Sequence, residues 1–160
     1  MRSFVAGLAV AVTALVVPAV ASAATDTVTG TEVAFTSTQG TFVGSASGDI
    51  PGYWKAVVNH TPLSPDATIT GGSFKLVTTT LQKIVGTFDN GGTVHQTNPG
   101  AGCTDQTFDV SDTLSDVGVG GPGTGHGSFF VVLTHKRAPV PFLGCVTYAG
   151  TVVGTLSLSP

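Results

Sequence analysis

Short apolar stretches alternate with glycine and proline turn signals from residue 31 to the end of the chain. The stretches are rich in Val, Thr and Phe, which favour β-strands, and no segment of eleven or more residues has the 3.6-residue period of an amphipathic helix. Nine strands are therefore predicted, at residues 31–36, 41–46, 53–60, 68–80, 83–88, 93–97, 106–114, 128–136 and 145–158. Eight or nine short strands separated by turns predict an all-β fold, either a small antiparallel β-barrel or, as the alternative, a two-sheet β-sandwich.

Three local patterns refine this prediction. Asp-Asn-Gly-Gly at 89–92 predicts a hairpin turn between the strands on either side of it. Gly71 and Gly72 predict a bulge or bend inside the 68–80 strand. The continuous apolar centre of 128–136 predicts a strand that is covered on both faces.

The first 23 residues have the pattern of a secretory signal peptide. Arg2 gives a positive start, residues 4–17 are apolar apart from one Thr, and Ala21-Ser22-Ala23 supplies the small residues that signal peptidase recognises. The apolar stretch is shorter than the roughly 20 residues that a membrane-spanning helix needs. We therefore predict cleavage after Ala23 and export, followed by a short N-terminal tail at 24–30 and a single β domain at 31–160 with no membrane span.

Charged side chains are scarce, at 9% of the chain against roughly 25% in typical globular proteins. Without Arg2, five Lys and Arg oppose nine Asp and Glu. This balance gives no basic face that could neutralise phosphates, so no nucleic-acid partner is predicted. The scarcity of ionisable groups also favours a binding protein over an enzyme.

Two cysteines, Cys103 and Cys145, remain in the exported chain. Because the exported space is oxidising, an even number of cysteines predicts a disulfide between them. The alternative is a pair of free thiols with one catalytic nucleophile, which would need a base and an electropositive setting, and none of the four His is tied to a Cys by spacing.

The sequence predicts no cofactor site and no metal site. The literal G-x-G-x-x-G at 118–123 precedes a predicted strand, whereas a dinucleotide site needs a helix there. The four His lack the spacing of a zinc site. The four Asp between 105 and 116 lack the loop pattern of a calcium site.

Several residues are candidates for a site. Tyr53 and Trp54 are neighbours on a strand and face opposite ways, so that Trp54 either packs in the core or lines a barrel mouth, where it would stack on a ligand. Because Val33 and Phe35 are predicted to face the core, Glu32, the only Glu in the chain, is predicted to face solvent, which weakens it as a general acid. The basic run at 135–137 is predicted to be a solvated strand end.

Three functions are open to such a chain. The preferred one is a secreted, non-catalytic barrel that binds a small apolar molecule or a cell-envelope component in a cavity among Phe and Val side chains. The second is a barrel enzyme of the isomerase or cyclase kind, with His95, Tyr53, Asp109 and His126 as candidate catalytic residues. The third is a partner-binding module, such as an inhibitor or adhesin, that uses the loops at 98–102 and 118–127.

Overall fold

The computed structural model describes residues 23–160, so the predicted signal peptide lies outside the described residues except for its last position. The described residues form nine strands and one short 3-10 turn: β1 (Ala24–Phe35), β2 (Gln39–Gly48), β3 (Gly52–His60), β4 (Ala67–Thr78), β5 (Lys83–Phe88), β6 (Thr93–Asn98), the turn Ala101–Cys103, β7 (Gln106–Val119), β8 (Gly125–Val140) and β9 (Gly144–Ser159). Within this part of the chain, no helix is long and apolar enough to cross a membrane.

The strands form a closed antiparallel barrel. They follow one another around the sheet in chain order, and β9 pairs with β1 while β3 pairs with β4, so the barrel wall closes on itself. The nine strands occupy eight positions, because β5 and β6 both pair with β4 on one side and with β7 on the other. The predicted β-barrel is confirmed, and closure excludes the sandwich.

Two predicted elements differ from the structure. The turn at 89–92 does not make a hairpin, because β5 and β6 lie end to end along β7 and are not paired with each other. Residues 24–30 are not a tail but the first part of β1, which pairs with both β2 and β9. Both differences follow from closure, since the barrel needs a continuous strand between β2 and β9 and another between β4 and β7. The predicted bend at Gly71 and Gly72 is confirmed by positive φ angles and a register shift against β3.

Trp54 is the largest side chain of the core and is buried. Its indole occupies space that Gly30 leaves free, because a Cβ at residue 30 would lie 2.7 Å from the ring atom Cζ2. The ring nitrogen Nε1 donates a hydrogen bond to the Ser45 carbonyl oxygen at 3.0 Å, which satisfies the one polar atom of the side chain.

The centre of β8 is buried on one face only. Phe129, Val131 and Leu133 face the interior, whereas Phe130 and Val132 lie on the outer surface with 48% and 37% exposure. The prediction that both faces would be covered is wrong, because a single closed sheet has an interior but no second layer outside it.

The two ends of the barrel differ in their connections. One end, the mouth end, carries the loop at 61–66, the loop around the 3-10 turn and the long β8–β9 hairpin. The other end, the far end, carries short turns, the glycine-rich connection at 120–124 and the beginning of β1. The predicted disulfide between Cys103 and Cys145 is confirmed and joins the 3-10 turn to β9 at the mouth end.

Replacement of both cysteines by serine, Cys103→Ser with Cys145→Ser, should lower the free energy of unfolding. The bridge joins residues 42 apart in sequence, and the chain-entropy model gives about 4 kcal/mol for a loop of that length. Urea unfolding followed by far-UV circular dichroism measures the change. The strand signal before unfolding should persist, because the bridge joins β9 to the 3-10 turn and not to another strand. An unchanged unfolding midpoint would contradict this expectation.

Candidate functional site

A cavity of about 390 Å³ opens at the mouth end of the barrel. Its volume lies in the range of small-molecule sites. Its apolar walls are formed by Phe35, Phe42, Val58, Leu63, Pro65, Val94, Phe108, Val110 and Leu133. Its polar lining consists of Glu32, Thr36, His60, Gln96, Gln106, His135 and Thr147. Among these lining residues there is no Lys or Arg.

Glu32 and His135 form a hydrogen-bonded pair in the cavity wall. His135 Nε2 lies 2.7 Å from Glu32 Oε2, and the two side chains are only 13% and 5% exposed. In the imidazole tautomer that carries its hydrogen on Nε2, the ring donates this hydrogen bond to the carboxylate oxygen. The other carboxylate oxygen, Oε1, accepts no hydrogen bond from the described residues.

Two glycines make room for this pair. Gly150 of β9 lies between the two strands, in register with Glu32 of β1 on one side and with His135 of β8 on the other. A Cβ at residue 150 would lie 2.9 Å from Glu32 Oε2 and 3.4 Å from His135 Cδ2. A Cβ at Gly40 would lie 3.0 Å from Glu32 Oε1. The Glu32–His135 hydrogen bond, which joins β1 to β8, therefore passes over β9 at a residue that has no side chain.

Two aromatic rings hold the imidazole in place. The Phe108 ring lies edge-on to His135 with centroids 5.3 Å apart, and the Phe35 ring lies 5.9 Å away on a tilted plane. The His135 ring is thus fixed by apolar contacts as well as by its hydrogen bond to Glu32, so the pair is oriented before any ligand arrives.

The sequence-based prediction for Glu32 is wrong. The inward residues of β1 are the even-numbered ones up to Glu32, whereas Val33 and Phe35 are 57% and 58% exposed. The register of β1 against β2 shifts directly after Glu32, where the strand leaves the barrel wall. Up to the register shift the strand alternates as predicted, but the opposite set of residues faces the interior; beyond the shift, Phe35 lies at the cavity rim.

The basic run at 135–137 does not behave as one solvated strand end. His135 faces the cavity, while Lys136 and Arg137 bind the neighbouring loop. Lys136 Nζ donates to Asp105 Oδ2 at 2.6 Å, and this hydrogen bond lowers the pKa of Asp105 and raises that of Lys136. Arg137 Nη1 donates to the Gly100 carbonyl oxygen at 3.0 Å.

None of the four candidate catalytic residues lines the mouth cavity, and neither does Trp54. His95 lies on the outer surface and contacts Asp66 at 3.0 Å, where the backbone hydrogen bond from Gln96, and then His95, lowers the pKa of Asp66. Asp109 and His126 also lie outside the cavity lining. Tyr53 is 76% exposed on the outer face of β3, opposite to Trp54 as predicted, and Trp54 is a core residue.

Asp112 is a second interior acid, at 8% exposure on the inward face of β7. Its Oδ1 accepts the Thr113 N–H at 2.8 Å, and its Oδ2 has no partner among the described residues. Burial raises its pKa to about 6, and the nearby negative charge of Asp89 acts in the same direction. Asp112 does not line the mouth cavity.

The chain matches no family model, no curated protein and no solved structure in comparisons with known proteins. Its function is therefore inferred from the geometry of the mouth cavity and its surroundings.

Asp112→Asn should stabilise the protein at neutral pH and have little effect under acidic conditions. The pKa of Asp112 is raised from 3.8 to about 6 in the folded state, so the folded protein binds the carboxyl proton more tightly than the unfolded protein does. The contribution of Asp112 to the free energy of unfolding therefore falls as the pH rises from 3.8 to about 6. A rise of the pKa from 3.8 to about 6 corresponds to at most about 3 kcal/mol of stability at neutral pH. Urea unfolding at about pH 4 and about pH 7.5 measures the difference.

Asp116→Asn is the matched control, since Asp116 lies on the same strand but is exposed. It should not show a gain that grows with pH. An equal pH-dependent gain in both variants would contradict the assignment to Asp112.

Proposed function

We propose that the chain is exported, that residues 1–23 are removed, and that the barrel binds a neutral, largely apolar small molecule in its mouth cavity. An apolar constituent of the cell envelope belongs to the same ligand class. The observation that carries this proposal is the cavity of about 390 Å³ with apolar walls and one buried polar pair. Apolar walls with few polar groups are typical of sites that bind such molecules.

The lining favours a neutral ligand over an anion. No Lys or Arg is among the lining residues described, and the one acidic side chain of the lining, Glu32, would repel a carboxylate or phosphate. Both histidines of the lining already have hydrogen-bond partners, His135 Nε2 with Glu32 and His60 Nδ1 with the Thr61 carbonyl oxygen. A bound anion would therefore lose its hydration without gaining a free cationic partner.

The free oxygen of Glu32 supplies a polar contact for the ligand. Oε1 accepts no hydrogen bond from the described residues, and a hydroxyl or N–H of the ligand would satisfy it. The ligand that fits best is thus an apolar molecule with one hydrogen-bond donor.

Gln96→Trp should reduce the binding of a neutral apolar dye, N-phenyl-1-naphthylamine, by at least about tenfold. Gln96 lines the cavity, and an indole at that position would occupy part of the space that a ligand needs. The dye's fluorescence on titration with protein gives its dissociation constant. The matched control is Thr97→Trp, because Thr97 is the next residue on β6 and is exposed on the outer surface.

Equal losses in the two Trp variants, or no binding by the unmodified protein, would contradict binding in the cavity. Competition distinguishes the ligand class: 1-dodecanol should displace the dye more readily than dodecanoate, which has the same chain length but a negative charge. The reverse order would contradict a neutral ligand.

A second candidate function is proton transfer at carbon, because the Glu32–His135 pair has the geometry of an oriented base. Oε1 would accept a proton from an acidic C–H bond of a bound carbonyl compound, and the electron pair of that bond would move into an enolate. Return of the same proton to a different carbon completes an isomerisation that needs no second reactant. His135 acts as a positioning residue, since its bond to Oε2 holds the carboxylate.

Glu32→Gln should abolish any catalysis of the ring opening of 5-nitrobenzisoxazole, a probe for general bases in apolar sites. In this reaction the base takes the C–H proton, the C–N triple bond forms and the N–O bond breaks to give a coloured phenolate. The unmodified protein should exceed the variant by roughly 10²-fold, the usual contribution of a positioned base. Absorbance of the phenolate measures the rate.

Asp116→Asn, which removes an exposed carboxylate away from the cavity, should leave the rate unchanged. Equal rates for the unmodified protein and Glu32→Gln would contradict the catalytic function. Dye binding would still stand in that case, so the two candidate functions are separable.

A further inference from the structure

The β8–β9 hairpin projects from the mouth end beyond the barrel wall. β7 pairs with β8 only as far as His135, and β1 pairs with β9 only as far as Gly150. Residues 136–149 continue as a two-stranded ribbon, paired with each other through Val140 and Gly144. We call these residues the projecting ribbon.

The tip of the projecting ribbon is apolar and exposed. At the tip, Phe142 is fully exposed and Leu143 is 73% exposed; Tyr148, near the base of the ribbon, is 67% exposed. No charged residue occurs between 138 and 149. Large apolar side chains at a loop tip, with no charge among them, form a surface that water solvates poorly.

The ribbon is braced from one side. The disulfide joins Cys145 to Cys103, Lys136 binds Asp105, and Arg137 binds the carbonyl oxygen of Gly100. An isolated two-stranded hairpin is marginally stable in water. These contacts therefore hold the apolar tip in one position rather than letting it fold back, and a tip fixed in advance loses little conformational freedom when it binds.

The tip lies at the same end of the barrel as the cavity opening. Phe35 and Leu63 line the cavity and are also 58% and 41% exposed at its rim. The mouth end thus presents apolar surface at the rim of the cavity as well as at the tip. A surface of this kind suits the boundary between the headgroups and acyl chains of a bilayer, where exposed aromatic and aliphatic side chains are favoured.

We propose that the projecting ribbon docks the protein on a lipid bilayer by inserting Phe142 and Leu143, with the cavity opening on the membrane side. The absence of charge in the tip selects a lipid surface over a charged partner, and the interaction is apolar rather than electrostatic. Docking goes beyond ligand binding and rests on the exposed tip, so it would stand even if the cavity bound no dye.

Flotation with phosphatidylcholine vesicles tests this proposal. The protein without residues 1–23, which retains every described strand, should float with the vesicles, and Phe142→Ser with Leu143→Ser should reduce the bound fraction at least about tenfold. The matched control is Leu81→Ser with Val119→Ser, because both are large, exposed apolar residues at 84% and 58% exposure on the far end. The control should float like the unmodified protein.

Several outcomes would overturn docking through the tip. These are failure of the unmodified protein to float, an equal loss in the control variant, or release by about 0.5 M salt, which screens charge but not apolar insertion. Far-UV circular dichroism and the retained disulfide establish that each variant is folded. Loss of dye binding with unchanged flotation would reject the proposed ligand site and leave docking intact.

Discussion

Closure of the sheet is the constraint on which the rest of this structure depends. With β1 paired to β9 and β3 to β4, each strand of the barrel wall is paired on both sides and has one face inside and one outside. The interior can be filled only by alternate residues of each strand, so a polar residue in the inward set becomes buried whatever its preference. Glu32, Asp26 and Asp112 are buried in this way.

The three buried acids are satisfied to different degrees. Asp26 and Asp112 each accept one backbone N–H through Oδ1, and the Oδ2 of each has no partner among the described residues. Glu32 is bound to an imidazole instead of to the backbone, and it lies beside open space rather than packed side chains. An acid that is oriented by a side chain and borders a cavity can contact a ligand, which is why the mouth end and not the far end is the functional candidate.

The mouth end combines features that the far end lacks. The longest hairpin, the disulfide and the cavity all occur there, and the same short loop supports both the disulfide and the contacts of Lys136 and Arg137. The brace fixes the projecting ribbon relative to the cavity rim. An exposed apolar tip would otherwise lower its free energy by folding against nearby apolar surface, including the cavity opening.

The sequence alone determined the all-β class and the opposite faces of Tyr53 and Trp54, because strand propensity, turn spacing and alternation are local properties. It also determined the disulfide, because the chain has only two cysteines and a predicted signal for export to an oxidising space. The inward position of His135 could have been predicted from the sequence. Phe129, Val131 and Leu133 are the inward residues of β8, and the next residue in this alternating series is His135. The inward position of Glu32 could not be predicted from the sequence, because both sets of alternate residues in β1 include apolar side chains. Alternation with a period of two does not say which set faces inward. Only closure of the barrel decided that phase, and only the register of three strands placed Gly150 between Glu32 and His135, because contacts between residues about a hundred positions apart depend on pairings that no local pattern encodes.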